Sequence, residues 1–326
     1  MRHLASILIV TFNSRAHFPR LKAALSAQTL PARILIIDNA SHLDQRPLQE
    51  DFPPEAEIVQ LAENTGFASA NNRAVERAET PFVALLNPDA FPEPNWLETL
   101  VRAAEGAPRV AAFGSTQIAA ETPSKFDGLG DCYHVFGLPW RGGYQWPRKS
   151  AARSGMVFSA CAAAALYRRE AWLEIGGFDE SFFCYCEDVD LGFRLRLAGW
   201  DARQIAGAIV HHVGGASSGV HSPFADYHGS RNRLWTFVKN MPAPAFWLLA
   251  PFHVLASLLL LARVLGKRRW DATLRGMIDG LKGLGAVWKT RKIVQSRRLA
   301  TNLAILRPMT WSVYAVLTRA PVVRKD

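Results

Sequence analysis

From residue 6 to residue 115, short apolar runs alternate with stretches of helical periodicity. That alternation confines the first half of the chain to βαβ units on a mostly parallel sheet. Strands are expected over residues 6–12, 33–38, 58–61, 82–87 and 110–115, with helices over 18–27, 68–78 and 95–105 between them. Residues 116–153 are rich in Gly, Pro and aromatics without a steady period, and the expectation there is a loop carrying at most a β-hairpin. Regularity returns with a strand over 162–167, a short helix from Arg169, a stop at Gly176-Gly177, a helix over 187–197 closed by Gly199, a strand over 204–212 and a helix over 227–239.

Composition narrows the class. A chain of 326 residues with 49% hydrophobic and 20% charged residues is an ordinary packed globule, which excludes disorder and collagen-like repeats. Four cysteines, Cys132, Cys161, Cys184 and Cys186, are too few for a disulfide framework in so long a chain and suit a reducing compartment. The apolar run from Ile7 to Val10 is too short for a signal peptide and reads as the first strand.

The net charge of +10 is unevenly placed: residues 241–326 hold 15 Lys and Arg against three acids, whereas the first 240 residues net to −2. The same tail carries the most apolar segment, residues 246–261, which contains Pro251 and His253 and falls short of the roughly 20 residues needed to span a bilayer. An interfacial or re-entrant placement at an anionic membrane surface is therefore expected in preference to a crossing, with a buried core helix as the alternative. No nucleic-acid motif accompanies the charge, so no nucleic-acid partner is expected.

Four groups of residues can carry chemistry. Asn87-Pro-Asp89 follows a strand, where a parallel sheet presents ligands and a carboxylate can hold a divalent cation; it is also good turn chemistry. Glu187, Asp188 and Asp190 crowd the first turn of a helix. One acid there is rewarded by about 0.3–1 kcal/mol, but three repel one another and ask for a further reason, such as a general base. The helix starting at Asp188 and the strand ending at His212 have lengths that can bring both residues to one rim of the sheet, and of the adjacent His211 and His212 only one can face a given site. Thr11, Phe12 and Asn13, then Asp38, then Asn64 and Gly66 ahead of a helix with Asn72, all sit where strands release their loops; Asp38 can accept from a base N–H or a ribose hydroxyl. Neither G-x-G-x-x-G nor the P-loop pattern follows the first strand, which disfavours a dinucleotide dehydrogenase and a P-loop kinase.

In order, Ile9-Val-Thr-Phe-Asn-Ser14, Ile37-Asp-Asn-Ala-Ser41, Asn64-Thr-Gly-Phe-Ala with Ala70-Asn-Asn72, Leu85-Leu-Asn-Pro-Asp-Ala90, Gly176-Gly-Phe-Asp-Glu180 and Glu187-Asp-Val-Asp-Leu191 resemble the family 2 glycosyltransferases, most of all their rhamnosyltransferase-like branch. The resemblance covers about residues 4–240. It implies a GT-A fold: a Rossmann-like nucleotide half, about 1–115, merged with an acceptor half, about 116–240, and followed by a helical membrane-associating tail, 241–326. The region over 116–153 is then where an acceptor would be recognised.

The resemblance also implies inverting transfer of rhamnose or a similar hexose from a dTDP-, UDP- or GDP-sugar, assisted by Mg2+ or Mn2+. By motif match Asp89 takes the place of the last acid of the family's Asp-x-Asp, with Asn87 where many members have the first. His212, preceding Val-Gly-Gly-Ala-Ser217, matches a further metal ligand, Asp188 matches the catalytic base and Asp38 the acid that reads the nucleoside base. Acceptors of this branch are commonly lipid-linked saccharides of surface polysaccharide synthesis, which implies a peripheral enzyme on the cytoplasmic face of the membrane. A sugar-phosphate nucleotidyltransferase and a non-catalytic membrane-surface module are the rivals; the first lacks its glycine-rich basic signature here, and the second is disfavoured by the joint presence of Asp89, Glu187, Asp188 and His212.

Overall fold

A computed structural model describes residues 3–214, 222–266 and 270–325. The run that opens the chain becomes β1 (Ala5–Thr11), buried along its whole length. Its side chains divide between two clusters: Ile7 and Ile9 pack with Phe18 and Leu21 on one face, Leu8 and Val10 with Ala74 and Val75 on the other. A strand covered on both faces is apolar at every position, which is why its sequence shows a run and no alternation. Each such side chain withdrawn from water contributes about 1.5–3 kcal/mol.

Beside β1 lie α1 (Phe18–Ser26), β2 (Arg33–Asp38), β3 (Glu57–Gln60), α2 (Gly66–Arg77) and β4 (Phe82–Leu86), and the strand order β4-β1-β2-β3 is parallel throughout. Then β5 (Ala90–Pro92), α3 (Trp96–Glu105) and β6 (Val110–Ala119) extend the fold, and Trp96 is fully buried with its Nε1 donating to Ser115 Oγ at 2.7 Å.

Residues 116–153, expected to be loop with a hairpin, hold more structure than that. β6 continues to Ala119, and β7 (Phe126–Gly128), β8 (Asp131–His134) and β9 (Leu138–Arg141) follow, the last two forming a separate two-stranded sheet. The period is hidden because β6 and β8 are buried end to end with polar side chains inside: Ser115, Thr116, Gln117, Asp131 and His134.

After β10 (Gly155–Val157), β11 (Ala164–Arg168) runs antiparallel between β4 and β6, so the second half of the sheet is mixed. α4 (Arg169–Glu174) leads to α5 (Glu187–Leu197), with Gly199 at φ +91° just beyond its end, the conformation a helix-terminating glycine supplies. β12 (Asp201–His212) starts three residues earlier than expected; it pairs parallel to β6, with a register shift between Ile205 and Ile209, and antiparallel to β10 and β5. Gly215, Ala216 and Ser217 of the block after His212 lie outside the described residues.

Helix α6 (Pro223–Asn240) begins four residues before the expected start, because Ser222 caps it by accepting from Ala225 N–H and Pro223 fits the first turn. The apolar run at 246–261 is part of a longer helix, α7 (Ala245–Val264), of 20 residues and mean hydropathy 2.1, long and apolar enough to cross a membrane; the run was too short only because Ala245 and residues 262–264 extend it. A stripe of α7, Ala245, Phe246, Leu249 and His253, is buried against the domain, and His253 stacks on Phe237 at 4.3 Å. Trp247, Leu248, Phe252, Leu255, Leu258 and Leu259 are exposed.

The chain closes with α8 (Trp270–Lys282), α9 (Leu284–Ser296), α10 (Asn302–Leu306) and α11 (Val313–Thr318). Phe246, Leu249, Val287, Ile305 and Met309 share one cluster with Tyr133, Phe158, Phe193 and Leu197, so residues beyond 240 complete the core beneath α5.

Candidate active site

A cleft of about 720 Å³ opens where β1, β4 and β12 end and α5 begins. Asn39, Asn64, Asn87 and Asp89 line it, together with Asp131, Arg141, Glu187, Asp188 and His212.

At one corner His212 sits between two carboxylates. Its Nε2 is 3.2 Å from Asp89 Oδ1 and its Nδ1 is 2.7 Å from Asp127 Oδ2, while Asp127 also bonds Arg141 at 2.5 Å. Burial alone would lower the His212 pKa, but hydrogen bonds and charges of Asp127 and Asp89 outweigh it and raise the value to about 9. Against their own burial, His212 holds the Asp89 carboxyl below its ordinary range, and the Arg141 charge with His212 does the same for Asp127. Asp89 is fixed further by Gly214 N–H, which donates to its Oδ2 at 3.2 Å. His211, one residue earlier, turns the other way and meets Glu93 at 3.4 Å.

This corner fits a divalent cation. A carboxylate oxygen and an imidazole nitrogen, on residues 4% and 2% exposed, converge from different strands, and the second imidazole nitrogen is oriented by a carboxylate, as metal-binding histidines usually are. Oxygen with one nitrogen suits Mg2+ or Mn2+. A second group, Asp131, Cys161 and Asp188, is close enough to share an ion; burial pushes the Cys161 thiol up to about 12 and the Asp131 carboxyl well above the usual range.

The three acids of α5 have three environments. Asp188 faces the cleft, its oxygens accepting from Val189 N–H at 2.8 Å and Ala162 N–H at 3.2 Å. Glu187 also lines the cleft but is only 6% exposed; burial, then the Asp188 charge, pushes its carboxyl well up. Asp190 is fully buried in an ion network: Arg194 Nε and Lys239 Nζ each lie 2.8 Å from it, and Asn240 Nδ2 donates at 2.7 Å. The crowding of acids thus resolves into separate sites.

The segment ahead of α5 is held in a costly conformation. Phe183, Tyr185 and Cys186 have φ of 63°, 71° and 65°, each costing about 1–3 kcal/mol for a side-chain-bearing residue. Asn232 of α6 offsets this, its Nδ2 donating to the carbonyls of Phe182, Cys184 and Tyr185 at 2.7–3.0 Å. Gly66, at φ +82°, closes the other side: a Cβ there would stand 2.5 Å from Phe183 Cδ2 and 2.7 Å from its carbonyl oxygen. Gly66→Ala is therefore expected to displace Phe183 and with it the start of α5, lowering kcat by up to about 10²-fold, as a misplacement of about 1 Å can. Steady-state assay beside a thermal melt checks this; an alanine variant with unchanged kcat removes the coupling.

The structure brings Phe12, Asn64, Gly66, Asn87, Asp89, Glu187, Asp188 and His212 together on the cleft and leaves Thr11, Asn13, Asp38 and Asn72 off its walls. Asp38 is fully buried, accepting from Thr11 Oγ1 at 3.2 Å and Ser41 N–H at 3.3 Å, and Asn39 takes the lining position. Asn13 accepts from His42 N–H at 2.9 Å. Asn72 ties α2 to the following loop: its Oδ1 accepts from Phe178 N–H and its Nδ2 donates to Phe178 O.

Missed in the sequence were Asp127, Asp131, Trp140, Arg141, Tyr185 and Asn232. Two signals were present: the paired acids of Asp127-Gly-Leu-Gly-Asp131, and the aromatic run Phe182-Phe-Cys-Tyr185, one residue ahead of the acids.

The N-acetylglucosaminyl-diphospho-decaprenol L-rhamnosyltransferase of Mycobacterium tuberculosis (strain ATCC 25618 / H37Rv) is 29% identical over 283 residues, 78% of this chain and 89% of that protein. Rhamnosyltransferase WbbL of Escherichia coli (strain K12) is 26% identical over 208 residues, 59% of this chain and 77% of that one. Among solved structures, GalNAc-T7 with UDP, GalNAc and Mn2+ superposes with a TM-score of 0.68 at 14% identity, over 99% of this chain and 59% of that one. The mannosyltransferase PcManGT from Pyrobaculum calidifontis, in complex with GDP-Man and Mn2+, gives 0.53 at 15% identity, over 94% and 87%. These two likenesses concern the fold, the GT-A arrangement of a mixed α/β sheet. The family model described as Glycosyl transferase family 2 matches residues 6–176, more than half of the sequence, and the chain belongs to that family.

Proposed function

We propose that this glycosyltransferase moves rhamnose, or a closely similar hexose, from a nucleoside-diphosphate sugar to a lipid-linked saccharide with inversion at C1. The observation that carries this is the placing of the Asp89–His212 corner and Asp188 on one cleft. The names of the two relatives point to rhamnose, and that of the mycobacterial one to a lipid diphosphate acceptor.

Asp89 and His212 are the residues that would hold Mg2+ or Mn2+, with Asp127 orienting His212. A cation so held supplies positive charge against the departing diphosphate. Asp188 accepts the proton of the acceptor hydroxyl as its oxygen bonds to C1 and the bond from C1 to the diphosphate oxygen breaks. Attack from the side opposite the leaving group inverts the centre. The end of β2, where Asn39 lines the cleft beside the buried Asp38, receives the nucleoside. The basic residues beyond 240 and the exposed side of α7 place the enzyme on the cytoplasmic face of the membrane, each Lys or Arg near an anionic leaflet contributing about 1 kcal/mol.

The test offers dTDP-rhamnose, UDP-sugars and GDP-sugars to the full chain with a GlcNAc-diphospholipid acceptor. Release of nucleoside diphosphate with a new disaccharide is expected, abolished by EDTA and reduced at least about 10²-fold in Asp89→Ala. Formation of inorganic pyrophosphate in place of nucleoside diphosphate, or activity indifferent to EDTA, overturns it.

A further inference from the structure

A second groove, of about 930 Å³, adjoins the catalytic cleft and shares Pro139, Trp140 and Cys186 with it. Its character is different. Phe252, Leu255 and Leu259 of α7 and Val316 and Leu317 of α11 line it, a continuous apolar surface on two helices beyond the sheet.

Among the described residues, Arg233, Arg263 and Arg319 line the same groove against one acid, Asp226. Arg233 is the telling one. Its Nε is shielded from solvent and has no hydrogen-bond partner among the described residues, while its NH2 donates to Ser257 Oγ over a long 3.5 Å. Arg233 is half-buried, and its shielded N–H would gain an acceptor from an anion entering the groove. Its neighbours Cys186 and Tyr133 are not charged partners, and burial lowers its proton affinity accordingly.

We propose that this groove binds the diphosphate and the first isoprenoid units of a polyprenyl-diphosphate acceptor, Arg233 taking the diphosphate and the α7 and α11 side chains the hydrocarbon. Trp140 and Cys186 stand at the junction, so a saccharide attached to the diphosphate reaches past them to Asp188, two residues from Cys186. An anionic group followed by an apolar chain matches three arginines beside exposed aliphatic surface, and neither a nucleotide nor a soluble sugar has both parts. The assignment rests on the reading of the chain as a transferase for lipid-linked saccharides, so its test does not use sugar transfer.

Binding of geranylgeranyl diphosphate and of geranylgeraniol to the full chain is measured by tryptophan fluorescence and calorimetry. Arg233→Gln is expected to weaken the diphosphate by about 10- to 100-fold, the loss of a charge-assisted contact. Geranylgeraniol should be unaffected by that change, and Leu259→Glu should weaken both ligands. Arg233→Lys, which keeps the charge, should restore part of the affinity and guards against a mere folding defect. Equal affinity of wild type and Arg233→Gln for the diphosphate overturns the proposal, as does displacement of the lipid by UDP or dTDP alone, which would put it in the catalytic cleft. Failure of the transferase reading shows separately, as absence of nucleoside diphosphate release by the wild type.

Discussion

Asp188→Asn lowers the rate of sugar transfer by about 10²- to 10⁴-fold, the range that general-base assistance supplies. The amide is nearly the same shape as the carboxylate but cannot take the acceptor's proton. Its oxygen can still accept from Val189 N–H, and Ser159 Oγ still donates to the Asp188 carbonyl at 2.8 Å, so the start of α5 stays in place. The contact from Ala162 N–H to Oδ2 is lost, a small effect on stability. Donor affinity should hardly change, because Asp89 and His212 form their own corner of the cleft. Pre-steady-state transfer assays, with nucleotide-sugar binding measured calorimetrically on the same protein, separate the two. A variant that turns over at nearly the parental rate takes Asp188 out of the chemistry, and one that loses donor binding as fully as turnover assigns it to the donor.

The second large effect is on stability. Asp190→Ala is expected to cost about 3–5 kcal/mol, the range for removing one partner of a buried ion pair. Asp190 is fully buried and Lys239 is 1% exposed. Lys239 keeps Asp179 at 2.6 Å, and Arg194 keeps the carbonyl of Ile175 at 3.1 Å, but both cations then sit in the interior with half their compensation. Asn240 loses its acceptor as well. Because these groups join α5 to α6, the helix carrying Asp188 to the one carrying Asn232, unfolding should be accompanied by early loss of activity. Urea denaturation followed by circular dichroism measures the change; a shift under about 1 kcal/mol would mean that water or a neighbouring acid replaces the carboxylate.

The tail also bears on how membrane binding is tested. Phe246, Leu249, Val287, Ile305 and Met309 pack into the cluster that holds Phe158 and Phe193, so cutting the chain after Asn240 would expose that core and confuse anchoring with unfolding. Substitutions on the exposed side of α7, such as Leu258→Gln, leave the core alone.

Much of the architecture was legible because its signals are local. Runs such as residues 33–38 and 82–86 are apolar at most positions because both faces of the sheet are covered, and the helices between them announce themselves by period and by caps such as Gly199. Residues 116–153 were not legible for the opposite reason. β6 and β8 bury polar side chains whose partners lie far along the chain, Gln204 Nε2 against Thr116 Oγ1 at 3.5 Å for one, and no local pattern encodes a partner 88 residues away. Asp127 shows the same limit within the site. Its role depends on His212, 85 residues later, and a Gly-rich stretch gives no hint of that pairing.

From the linear order of residues came the motif blocks, the strand ends where ligands gather and the unusual density of acids at 187–190. Those depend on residue type and short spacing, which a chain carries whether folded or not. Folding alone decided which acid does what: Asp188 is turned to the cleft, Glu187 is pressed into its wall and Asp190 is locked to Arg194 and Lys239. The physical reason is that the behaviour of a carboxylate follows from its access to water and from the charges packed against it. Both are properties of the surrounding elements, most of them distant in sequence.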